Sequence, residues 1–231
     1  MAKEADGYSQ PGGGDHPLMK AVLFDLDGTL TDTLRDIADA MNRALRLHGL
    51  PDWPVDAYRT LVGDGARVLA QRAVRDRQEL ALPVQAEYQA YYERHNLVMS
   101  KPYDGILEML HALQDAGVKL AVFSNKPDAD TRKVVRHFFP DIRWTAVRGQ
   151  VEGVPVKPDP AGALLVARAL DVPPADILYL GDTGTDMRCA VRAGMLPVGA
   201  LWGFRTREEL LACGARHIAE APGQVVRLAD L

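Results

Sequence analysis

The segment AVLFDLDGTLTD, residues 21–32, sets the apolar run Ala21 to Phe24 directly before the polar cluster Asp25-Leu26-Asp27-Gly28-Thr29. A short unbroken apolar run that ends in charged and turn-forming residues reads as a strand buried on both faces, the kind found in parallel sheets covered by helices. Three further runs repeat the design. Leu120 to Phe123 precedes Ser124-Asn125-Lys126, Ile177 to Leu180 precedes Gly181-Asp182-Thr183-Gly184-Thr185-Asp186, and Leu196 to Val198 follows. The stretch from Ile106 to Gln114, stopped by Gly117, has helical spacing, as does Asp159 to Leu170 between Pro160 and Pro173. The expected architecture is therefore α/β: a Rossmann-like parallel sheet core flanked by helices.

Roughly ninety residues separate the first two of these strands, far more than the dozen or so that a crossover helix needs. Apolar residues at helical spacing fill the interval, first Ile37, Met41, Ala44 and Leu45 before Gly49, then Val84, Tyr88, Tyr91 and Tyr92. We expect a small inserted helical cap domain at residues 34–98, with residues 18–33 and 99–231 forming the core domain. Residues 1–17, rich in Gly and Pro, are expected to be a disordered tail. Tyr88, Tyr91 and Tyr92 share one helix face and read as packing groups, outside the site. Gly63-Asp64-Gly65 is expected to begin a helix at Ala66, whose N-terminus and Arg67 are candidates to meet a substrate carboxylate. Arg72, Arg75 and Arg77 alternate with Asp76 and Glu79 and read as a solvated face.

Composition narrows the function classes. The chain has 231 residues, 47% hydrophobic and 25% charged, with a formal net charge of -4. This is the balance of a globular protein, without the basic footprint that a nucleic-acid partner leaves. No run nears the roughly 20 apolar residues of a membrane span, and no secretory leader is evident, so a cytoplasmic location is expected. The two cysteines, Cys189 and Cys213, have no disulfide or zinc spacing and read as reduced, buried thiols.

In an open parallel sheet the ligand lies beyond the carboxyl ends of the strands, so the clusters that close the strands should converge. Carboxylates gathered at one rim repel one another unless a hard cation sits among them, and Mg²⁺ suits oxygen donors combined with a substrate phosphate. Lys157, in Val156-Lys157-Pro158, together with the Ser124 hydroxyl and loop amides, supplies donors for phosphate oxygens. Gly28 lets the backbone approach closely. These residue types point to phosphoryl transfer on a small phosphorylated metabolite.

The four clusters DLDGTLTD, SNK, VKP and GDTGTD, in that order, resemble the motifs of the haloacid dehalogenase superfamily. Within it the chain is similar to the phosphoglycolate phosphatase group, through Val62-Gly63-Asp64-Gly65-Ala66 and Trp202-Gly203-Phe204. The resemblance implies an Mg²⁺-dependent phosphatase in which Asp25 is the nucleophile and forms an aspartyl phosphate, while Asp27 is the acid and base. It implies Mg²⁺ held by the Asp25 and Asp182 carboxylates and the backbone carbonyl of Asp27. Phosphate would be bound by Gly28, Ser124, Asn125 and Lys157, with Thr29 and Asp186 behind them. The substrate it suggests is 2-phosphoglycolate, acted on by a monomer or homodimer. A sugar phosphomutase, a pyrophosphatase or nucleotidase, and a non-catalytic phosphate-binding module share these core residues and stay open. Dehalogenation would leave Asp27 without a task, and a phosphonate hydrolase would need a cap lysine that residues 34–98 lack.

Overall fold

A computed structural model describes residues 19–229, so the expected tail at residues 1–17 lies outside the described residues. Strand β1 (Ala21–Phe24) is followed by the two-residue β2 (Thr31–Asp32) and helices α1 (Leu34–Leu47), α2 (Tyr58–Leu61), α3 (Ala66–Ala73) and α4 (Ala81–His95). The chain returns through β3 (Lys101–Pro102), α5 (Ile106–Asp115), β4 (Lys119–Pro127), α6 (Asp128–Phe138) and β5 (Trp144–Gln150). It then runs through α7 (Ala161–Leu170), β6 (Ile177–Gly181), α8 (Gly184–Ala193) and β7 (Leu196–Ala200). The last elements are α9 (Arg207–Ala212), β8 (His217–Ala219) and α10 (Pro222–Leu228).

Six strands form one parallel sheet in the order β5-β4-β1-β6-β7-β8. Strand β1 is central, with Ala21 level with Lys119 of β4 and Ile177 of β6, so their polar ends arrive at the same rim. Alternation along the strands makes two cores. Val22, Phe24, Leu120, Val122, Leu178 and Leu180 pack on α5, α6 and α10, while Ala21, Leu23, Ala121, Phe123, Ile177 and Tyr179 pack on α7 and α8. Strands β5 and β8 are additions to the expected set. The first is a half-exposed edge strand without an apolar run, and the second has three residues.

Helices α1, α3 and α4 bury a third apolar cluster, including Met41, Leu45, Tyr58, Leu69, Val84, Tyr88 and Tyr92. This helical unit joins the sheet through two chain segments, and β2 and β3 pair antiparallel where they meet. Asp36 of α1 accepts hydrogen bonds from the Val98, Met99 and Ser100 backbone amides and the Ser100 hydroxyl, which fixes the return segment. Cys189 is buried as expected, whereas Cys213 is half-buried. Among the described residues, no helix is long and apolar enough to cross a membrane.

Candidate active site

Parallel register carries Asp25, Ser124 and Asp182 to the same end of the sheet, and the loop after β5 folds Lys157 beneath them. Lys157 is 2% exposed, and its ammonium lies 2.8 Å from Asp25 Oδ1 and 2.7 Å from Asp186 Oδ1. Its backbone amide donates to Asn125 Oδ1 at 2.8 Å. Asp186 is held by the turn that starts α8: its Oδ2 accepts from the Thr183 amide and hydroxyl, and the Thr183 hydroxyl accepts from the Asp186 amide. Asp182 Oδ1 accepts from the Thr29 hydroxyl at 2.9 Å and its Oδ2 from the Phe204 amide at 2.9 Å.

One carboxylate oxygen from each of Asp25, Asp182 and Asp186 lies within 4.8 Å of the others, and all three residues are buried. Burial, the neighbouring Asp186 charge and only partial relief from Lys157 push the Asp25 carboxyl up to about 7. Burial, with Asp186 and Asp25 nearby, also drives the Asp182 carboxyl well above the usual range. For Lys157 burial opposes the charge, but Asp186 and Asp25 outweigh it and hold the ammonium above its ordinary value. Three carboxylates facing one ammonium suit a hard divalent cation with oxygen ligands. Asp27 does not send its side chain into this group. Its two carboxylate oxygens accept from Lys126 Nζ at 2.9 and 3.0 Å.

A cleft opens over the group, between the sheet rim and the helices. Asp25, Asp27, Ser124, Asn125, Lys126 and Lys157 form its floor, and Ile37, Val62, Leu69 and Tyr88 form much of the opposite wall. Several expected residues take other places. Gly28 lies away from the cleft: at φ +88° it backs onto Asp182, where a Cβ would come within 2.3 Å of Asp182 Oδ2. The Asn125 side chain is spent on backbone, since Nδ2 donates to Gly63 O and Lys157 O, so it braces the Lys157 loop and the helical unit. Arg67 is exposed and outside the cleft lining, whereas Gly65 and Ala66 at the start of α3 are part of it.

Three groups outside the expected site belong to it. Phe204 lines the cleft and orients Asp182 through its amide, and Lys126 contacts Asp27. Tyr92, read as packing only, is buried in the helical cluster, stacks on Tyr88 with centroids 5.2 Å apart, and also accepts from Lys126 Nζ at 2.6 Å. The SNK motif contains Lys126, so its signal was present in the sequence; the tyrosine hydroxyl offered none. Tyr91 stacks on His95 instead. Arg72 pairs with Asp64 and Arg77 with Glu79 on the exposed face, as expected.

Comparison with known proteins places these features in context. The model for haloacid dehalogenase-like hydrolases matches residues 19–194. The N-acetylmuramic acid 6-phosphate phosphatase of Pseudomonas aeruginosa is 33% identical over 92% of this chain and 95% of its own. The phosphoglycolate phosphatase of Aquifex aeolicus is 33% identical over 80% of this chain and 86% of its own. A crystal structure from Lactobacillus delbrueckii subsp. bulgaricus, whose assignment as a phosphoglycolate phosphatase is itself a prediction, superposes with a TM-score of 0.87. It is 27% identical and covers 92% of this chain and 99% of that one.

Proposed function

The chain belongs to the haloacid dehalogenase-like hydrolases and is a phosphoric monoester hydrolase; from that premise we propose that it works through an aspartyl phosphate on Asp25, with Mg²⁺ as cofactor. The observation that carries this reading is the buried juxtaposition of Asp25 and Lys157, at the floor of the cleft, with Asp182 and Asp186. Asp25 attacks phosphorus in line, and the phosphorus–oxygen bond to the leaving group breaks with its electron pair on the departing oxygen, which takes a proton from Asp27. Water then attacks the same phosphorus and gives a proton to Asp27. Its attack frees the Asp25 carboxylate and inorganic phosphate. Lys157 offsets charge on Asp25 and on the phosphoryl group, while the Ser124 hydroxyl and neighbouring amides orient phosphoryl oxygens. Asp186, bonded to Lys157, holds that ammonium in place.

Mg²⁺ would be held by the carboxylates of Asp25 and Asp182 and the Asp27 carbonyl. When bound it supplies positive charge against the phosphoryl oxygens. For the substrate we propose 2-phosphoglycolate. Its carboxylate would meet the first amides of α3, whose N-cap residue Gly65 has no capping side chain, rather than Arg67. The similarity to the N-acetylmuramic acid 6-phosphate phosphatase supports a second candidate, that sugar phosphate. Phosphate release from both esters, pyrophosphate, nucleotides and hexose phosphates, ranked by kcat/KM, tests the choice. A top rank for pyrophosphate or a nucleotide would refute both candidates. Release should stop in EDTA and return with Mg²⁺; equal rates in chelator and Mg²⁺ would refute the cofactor.

A further inference from the structure

Lys126 lies where the sheet domain meets the helices, and its ammonium is fully committed there. It closes the SNK segment of β4, is 7% exposed, and donates to three acceptors: Asp27 Oδ1, Asp27 Oδ2 and Tyr92 Oη. An ammonium has three hydrogens, so these bonds use them all. Lys126 also sits over the Tyr92 ring, 4.6 Å from its centroid. Tyr92 is set by α4, stacked on Tyr88 and 3% exposed. Among the described residues, this ammonium is the side-chain donor that reaches both oxygens of the Asp27 carboxylate.

We propose that Lys126 and Tyr92 are positioning residues that orient the Asp27 carboxylate for the attacking water, so that the seating of α4 on the sheet domain governs hydrolysis of the phosphoenzyme. The inference rests on the aspartyl-phosphate reading above and extends it to a cap residue. A bidentate contact fixes the plane of the carboxylate, and the Tyr92 hydroxyl fixes the ammonium. Loss of the hydroxyl frees the lysine to follow its own rotamers, and the carboxylate loses its aim. An error of about 1 Å in such a group costs on the order of 10²-fold in rate.

The test uses p-nitrophenyl phosphate, whose leaving group departs as a stable anion and needs no proton. With this ester kcat/KM reports the steps through phosphoenzyme formation, whereas water attack limits kcat once it is slow. In Tyr92→Phe we expect kcat to fall about tenfold or more with KM falling in parallel, so that kcat/KM is retained and a burst of nitrophenol precedes the steady state. Lys126→Met should do the same more strongly, and Lys126→Arg should recover part of the loss. Because burst amplitude counts active sites, partial misfolding does not mimic the result. A fall in kcat/KM with KM unchanged, or an unaltered kcat, would overturn the proposal. If the wild type forms no phosphoenzyme, the reading beneath it fails as well. If the wild type forms one and Tyr92→Phe behaves like it, only the positioning role fails.

Discussion

The two walls of the cleft are built by different rules. On the sheet side, charged groups come from segments dispersed along the sequence, and each is held by at least one partner, as with Lys157, buried between Asp25 and Asp186. On the helical side the lining is chiefly Ile37, Val62, Leu69 and Tyr88, part of an apolar cluster that also holds α1, α3 and α4 together. Apart from Tyr92, whose hydroxyl reaches across to Lys126, one wall supplies chemistry and the other shape. A substitution in the first should therefore alter rate on every ester, and one in the second should alter the order of esters.

Asp25→Asn should produce the largest effect, a loss of about four orders of magnitude or more in kcat on every substrate, because the nucleophile is gone. Measurable turnover near the wild-type rate would erase the distinction between the walls. Lys157→Met should follow, with kcat lower by about two to three orders of magnitude on all esters alike. A loss confined to one ester would move Lys157 to the selecting side.

Metal removal probes the sheet side without a change in sequence. The Asp25 carboxyl, about 7 in the folded protein, lies above its unfolded value. The folded state therefore holds the extra proton between about pH 4 and 7, and this contribution to stability is complete below that window and lost as pH rises through it. In chelator, the Tm of the wild type relative to Asp25→Asn should fall from pH 5 to pH 8, and Mg²⁺ should raise the wild-type Tm more at pH 8 than at pH 5. A pH-independent difference would contradict the charge crowding. The smallest effect belongs to Leu69→Ala on the opposite wall. Ratios of kcat/KM between esters should shift by about 10- to 200-fold at most, the scale of a few methylenes, while the pH dependence stays put.

How much of this was legible in the sequence follows the same division. Ala21 to Phe24 announces a central strand because both its faces are covered, and its polar tail announces the rim; β1 has those bounds. Trp144–Gln150 gave no such signal, since an edge strand with one half-open side has no need of an apolar run. Asp182 and Asp186 were visible as a motif, but the capping bonds that make Asp186 a rigid support for Lys157 depend on the turn into α8. Gly28 was legible as a glycine and not as to what it faces, because only the approach of Trp202-Gly203-Phe204 reveals that Asp182 occupies the space beside it. Arg67 illustrates a limit of helix-start reasoning: the turn at Gly65 is where the sequence placed it, yet the rotation of α3 sends Ala66 and Leu69 inward and Arg67 out. Tyr92 carries two functions on one side chain, a ring for packing and a hydroxyl for Lys126, and spacing along a helix encodes only the first.

The central claim concerns one covalent bond, and it is open to direct chemical inspection. The enzyme is mixed with substrate and Mg²⁺, quenched in acid within a turnover, reduced with borohydride and digested. Reduction converts an aspartyl phosphate to homoserine, so the account predicts homoserine at position 25 and nowhere else, and none in Asp25→Asn. Full turnover with an unmodified Asp25, or homoserine at Asp27 or Asp182, would contradict it.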